Sequence, residues 1–187
     1  RIFDQGHAGG LAERPTMLTP TGGGEVTWAD VDNDGDLDLL VTGLDDPDSV
    51  RSGSARIYIN VANPGNTPPE PPTGLVAEVD GTDIRFRWAP GSDLETRTPG
   101  LTYSLRVGTS PGANDIMSGL ALASGTRLIP GMGNVQTNLS WSLRGLARRP
   151  YFWSVQSVDT GHVGSAWAPE QTVYPNAVPV ITGQQPV

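Results

Sequence analysis

The stretch VTWADVDNDGDLDLLVTG, residues 26 to 43, sets two patterns side by side. Its ends, Glu25 to Ala29 and Leu37 to Leu44, are β-branched, aromatic and aliphatic, the composition of strands. Between them Asp30-Val31-Asp32-Asn33-Asp34-Gly35-Asp36-Leu37-Asp38 places five Asp at strict two-residue spacing around one Gly. A strand, an acidic turn and a second strand are therefore expected here. The rest of the chain continues in the same style, with 24 Gly and 17 Pro punctuating short alternating apolar runs and no long stretch of period 3.6. That composition predicts an all-β, turn-rich protein in which helix is scarce.

Carboxylates at loop positions 1, 3, 5 and 9 with Gly at position 6 match what a hard cation requires. Calcium takes about six to eight oxygens at roughly 2.3 to 2.6 Å, and the Gly permits the turn that brings alternate oxygens to one point. Side-chain ligands are expected from Asp30, Asp32, Asp34 and Asp38, with the backbone carbonyl of Asp36 at position 7 and water completing the shell. Magnesium fits less well, since it wants a smaller octahedron and retains its water. The competing reading is a solvated acidic turn. An EF-hand is excluded, because position 12 is Val41 where a bidentate Glu is needed, and the flanks read as strands.

The net charge of −8 is concentrated in this region. Residues 30 to 48 hold eight Asp and no base, while the remaining 12 acidic residues balance 12 Arg. Clustered carboxylates without nearby bases invite a cation. A chain with no basic stripe is a poor nucleic-acid binder, so no nucleic-acid partner is expected. Asp45, Asp46 and Asp48 form either a second weak site or a solvated turn, and the turn is preferred. No apolar run reaches eighteen residues, so no membrane span is expected, and Arg1-Ile2-Phe3-Asp4 does not read as a signal peptide. Cysteine is absent, which removes disulfides and thiolate chemistry but leaves the compartment open.

Residues 63 to 74 are rich in proline, which fixes φ and removes amide donors, and they read as a stiff linker. Residues 1 to 62 and 75 to 175 are then separate domains, with a tail over 176 to 187. Upstream, the strand over Ala55 to Val61 joins the two around the acidic loop, and residues 1 to 20 could add a fourth. Downstream, strands are expected over Leu75 to Val79, Asp83 to Trp88, Leu101 to Gly108, Asn138 to Leu143, Tyr151 to Val158 and Ala166 to Val173. Ile84, Phe86 and Trp88 share a face, as do Tyr103, Leu105 and Val107, so each strand should have one face buried and one wet. Residues 109 to 137 read as a long loop with one short strand at Thr126 to Ile129.

The segment from Val26 to Val61 resembles one FG-GAP or VCBS repeat, the unit that forms a calcium-bearing blade of integrin-type propellers. The resemblance covers residues 1 to 62 and implies calcium held by Asp30, Asp32, Asp34, Asp36 and Asp38. Such propellers use several blades, whereas this chain has one acidic loop, so the lone blade would belong to a larger array, pack on a neighbour or pair between molecules. From Pro71 to about Tyr174 the chain resembles a fibronectin type III-like sandwich, carried by Trp88 and by the run from Leu146 to Val155. That resemblance gives Tyr151 the corner role, its hydroxyl bonding back to the preceding turn, with Trp153 and Val155 pointing inward.

Catalytic chemistry has little to stand on. His7 and His162 are the only histidines, and neither has the Ser or carboxylate company of a triad. His162, in the turn Asp159-Thr160-Gly161-His162, is expected to be exposed. Asp93 and Glu95 are expected to face water, and Trp88, Trp141 and Trp153 to lie in a core. Modules of this sort resemble pieces of secreted or surface-anchored bacterial proteins. The expected function is a non-catalytic, calcium-stabilised structural or adhesive module that self-associates or binds a cell-surface or polysaccharide ligand. The alternatives are a carbohydrate-binding accessory module of a larger secreted enzyme and, third, an enzyme in its own right.

Overall fold

The computed structural model describes residues 2–5, 11–14, 18–19, 21–32, 34–45, 53–61 and 65–175. His7, Asp46, Asp48 and the tail from residue 176 lie outside the described residues. The chain is all-β. One 3-10 turn at Thr98–Gly100 is the only helical segment among the described residues, and none of their helices is long and apolar enough to cross a membrane. Contacts divide the chain into two compact units, Arg1–Asn63 and Pro64–Val187.

In the first unit β1 (Ile2–Gln5) and β2 (Leu11–Arg14) form an antiparallel pair, two strands where one was expected. The quoted stretch supplies β3 (Val26–Ala29) and β4 (Asp38–Leu44), and with β5 (Gly53–Tyr58) they make a sheet in the order β3-β4-β5. Antiparallel register puts Val26, Val41 and Arg56 in one cross-strand row and Trp28, Leu39 and Tyr58 in the next. The central members, Leu39 and Val41, are buried, while Val26 and Trp28 on the edge strand are more than half exposed. β5 stops at Tyr58, short of the expected Val61, because the amide of Asn60 donates to the Asp38 carboxylate (2.8 Å).

The second unit is a sandwich of two three-stranded sheets. One runs β6 (Thr73–Asp80), β7 (Asp83–Ala89), β9 (Ser140–Leu143); the other runs β11 (Gln171–Val173), β10 (Tyr151–Val158), β8 (Thr102–Gly108). Alternating side chains of both sheets meet in one core built on Ile84, Phe86, Trp88, Tyr103, Leu105, Trp153 and Val155. Phe86 packs tilted on Trp153 (4.8 Å between centroids), and Trp88 meets Tyr103 edge-on (6.1 Å). Trp141 packs against this cluster, partly buried. Tyr151 takes the corner position: its hydroxyl donates to the carbonyl of Ala147 (3.1 Å).

Three expectations are revised here. Residues 66–72, expected as linker, lie on the sandwich: Asn66 Nδ2 donates to Asp159 (2.8 Å) and Thr67 Oγ1 to Glu95 (2.9 Å). Among Thr67 to Pro72, four prolines leave Glu70 as a scarce amide donor, and it donates to Ser92 O (2.7 Å). Next, β8 and β10 are buried on both faces rather than one, with Ser104, Ser154 and Gln156 as inaccessible as the core opposite them. Residues from 109–137 and from 165–168 bond to that second face, and the expected strand over Thr126 to Ile129 reduces to a single bridge between Ala121 and Arg127. Last, β11 begins at Gln171 instead of Ala166, since Pro169 has no amide to donate and Trp167 turns to lie over the Arg106 guanidinium (4.7 Å).

Candidate metal centre

The acidic loop is shaped by its own carboxylates. Asp30 accepts the amides of Asp34 (3.1 Å to Oδ1) and Gly35 (3.1 Å to Oδ2), which bends the chain back over its start. Gly35 sits at φ +92°, a conformation that an L side chain resists, so the residue at position 6 is where the turn needs glycine. Asp34 Oδ1 accepts the Asp36 amide (2.9 Å). Asp38, at the first position of β4 and only 1% exposed, accepts Val31 N–H on Oδ2 (2.7 Å) and Asn60 N–H on Oδ1 (2.8 Å).

Asp30, Asp32 and Asp38 each turn a carboxylate oxygen to a common point, all within 4.8 Å of one another. Two oxygens on one calcium ion can be no further apart than twice the bond length, about 5 Å, so this set fits that ion. Of the four expected side-chain ligands, the structure gathers these three, while Asp34 is engaged with the Asp36 amide; Asp36, expected to offer its backbone carbonyl, is buried in the same turn.

The electrostatics divide the three. Desolvation, with the neighbouring Asp34 and Asp38 charges, pushes the Asp32 carboxyl above the usual aspartate range. The Val31 and Asn60 amides hold Asp38 below it. Neighbouring carboxylates thus disfavour ionisation at Asp32 while backbone amides favour it at Asp38, and a cation among them would offset the mutual repulsion.

Elsewhere, Asp45 is tied to Arg56 by an ion pair rather than aimed at the loop. Asp93 accepts the Thr96 amide (2.6 Å), and exposed Glu95 accepts from Thr67. His162 is partly buried, not exposed as expected: it sits at φ +67° with its N–H donated to Asp159 O (3.2 Å), closing the turn. The Asp38 link to Asn60 was invisible in the sequence, because a backbone amide leaves no residue signature.

No family model matches the chain, and no curated protein matches it. Among solved structures it is similar to the chicken CNTN1 FN1–FN3 domains, with 9% sequence identity and a TM-score of 0.41, covering 75% of this chain and 44% of that one.

Proposed function

We propose that this chain is a non-catalytic, calcium-stabilised structural or adhesive module of a secreted or cell-surface bacterial protein. The observation that carries the proposal is the convergence of Asp30, Asp32 and Asp38 at the Gly35 turn. Those residues would hold the ion, which supplies positive charge where like charges otherwise repel. Resemblance to a single FG-GAP or VCBS blade, beside a sandwich with the Tyr151 corner, supports an extracellular scaffold role. The half-exposed edge strand β3, with Val26 60% and Trp28 51% exposed, supports pairing with other copies or neighbouring blades.

A second reading, a carbohydrate-binding accessory module, is favoured by Trp28, which shares a cross-strand row with Tyr58 and offers an aromatic face to solvent. Titration calorimetry of the whole chain with calcium, repeated on Asp32→Asn, tests the main proposal. Saturable binding weakened at least tenfold by the substitution is expected. Absence of binding, or equal binding by both proteins, overturns it.

A further inference from the structure

Asp38 belongs to two structures at once. Its carboxylate is one of the three that converge in the acidic loop, and it is also the acceptor that ends the β4–β5 ladder. The last registered backbone pair is Leu39 with Tyr58. One step further on, where a backbone carbonyl would ordinarily receive the next amide, the Asp38 side chain receives Asn60 N–H instead (2.8 Å). Its other oxygen holds Val31 N–H (2.7 Å), on the opposite limb of the loop. A single buried carboxylate therefore ties together the loop's entry, the start of β4 and the segment that follows β5.

We infer that Asp38 is a positioning residue that transmits metal occupancy of the loop to the segment after β5, so that calcium fixes the chain at Asn60. The inference rests on the calcium reading proposed above and adds to it a mechanical consequence. Without a cation, Asp30 and Asp32 repel Asp38 and work against the position that Asn60 needs. With a cation, all three are drawn to one point, and the Asp38 carboxylate is held where both amides reach it. The distance in sequence, 22 residues, makes this coupling between elements and not a property of the loop alone.

The test is amide hydrogen exchange on the full chain, by NMR, with calcium and then with chelator, alongside calorimetry of calcium binding. Thr42 is the internal reference, since its amide donates to Glu25 O (2.9 Å) near the other end of β4. Calcium is expected to slow exchange at Asn60 and Val31 at least tenfold more than at Thr42. In Asp38→Asn, whose side chain has a single acceptor oxygen, the excess protection at Asn60 should disappear. Should that variant fail to fold, the wild-type comparison still decides. Calcium binding with equal slowing at Asn60 and Thr42, or none at either, overturns the coupling and leaves the metal site standing. No calcium binding by wild type overturns both.

Discussion

Tyr151 and Asp159 illustrate how single side chains set the edges of the second unit. Tyr151 is 1% exposed, yet its hydroxyl reaches Ala147 O, so its ring fills the core while its polar end closes the turn before β10. Tyr151→Phe keeps the ring and removes one hydrogen bond, for which a loss of about 1 kcal/mol is expected in denaturant unfolding. Asp159, 2% exposed, accepts Asn66 Nδ2 and the Val163 amide (2.8 Å each). Burial, with the Asp93 charge adding to it, nonetheless raises its carboxyl above the usual aspartate range. A carboxyl raised in the folded state contributes stability that is fully present below its unfolded value and is lost as pH rises through the folded one. Acidification from neutrality through that window should therefore stabilise the second unit more in wild type than in Asp159→Asn, as read by unfolding midpoints across pH.

At the scale of elements, the segment 109–137 does more than connect two strands. It closes the free edge of β8: Val107 exchanges hydrogen bonds with Ile116 and Met117, Tyr103 with Val135 and Gln136, and the Asn134 side-chain amide pairs with both backbone groups of Leu105. A bare edge invites another strand, and this one is covered without a regular partner. Arg127 holds the covering in place, donating to Ser104 Oγ (2.6 Å), Gly119 O (2.9 Å) and Gly131 O (3.2 Å). Among the described residues its hydrogen-bond partners are neutral, so charge–dipole bonds offset only part of a desolvation that lowers the guanidinium pKa. Arg127→Met should cost roughly 2–4 kcal/mol and open the segment to limited proteolysis, since it removes the donor to four acceptors, Met132 O being the fourth.

What the sequence made legible follows the same physics. Period-two alternation marked β7 and β8 and the inward set of Ile84, Phe86, Trp88, Tyr103 and Leu105, because burial of one face writes itself into residue type. The acidic loop was legible because Asp at alternate positions around Gly35 has few structural uses. The covering of the second face was not: Ser104, Ser154 and Gln156 read as solvent-facing, and nothing in their polarity reveals that Arg127, Ala168 O and the carbonyls of Gly125 and Ser165 bond to them. The docking of residues 66–72 was hidden likewise, since proline-rich composition announces extension without saying whether the extended chain is bare or laid on a neighbour.

At the scale of the whole molecule, the described interiors of the two units differ. Pro64–Val187 has a core of large aromatic and aliphatic side chains, most of them under 2% exposed. In Arg1–Asn63 the described buried apolar residues are Leu39 and Val41, and the buried polar ones, Asp36 and Asp38, belong to the acidic loop. On the proposed reading, an ion held by Asp30, Asp32 and Asp38 would add to the order of this unit, as metal does in small metal-stabilised domains. Two thermal transitions are thus expected, of which only that of the first unit responds to calcium.

Differential scanning calorimetry with calcium and with chelator, on wild type and on Asp32→Ala, tests this most directly. Ligand at a hundred times its dissociation constant adds about 2.7 kcal/mol, which in a unit this small corresponds to a midpoint rise on the order of 10 °C or more. The expected result is that rise in the first unit of wild type, its absence in Asp32→Ala, and a second transition unmoved in every case. A first-unit midpoint indifferent to calcium and chelator alike would contradict the account and leave Asp30, Asp32 and Asp38 as a solvated turn.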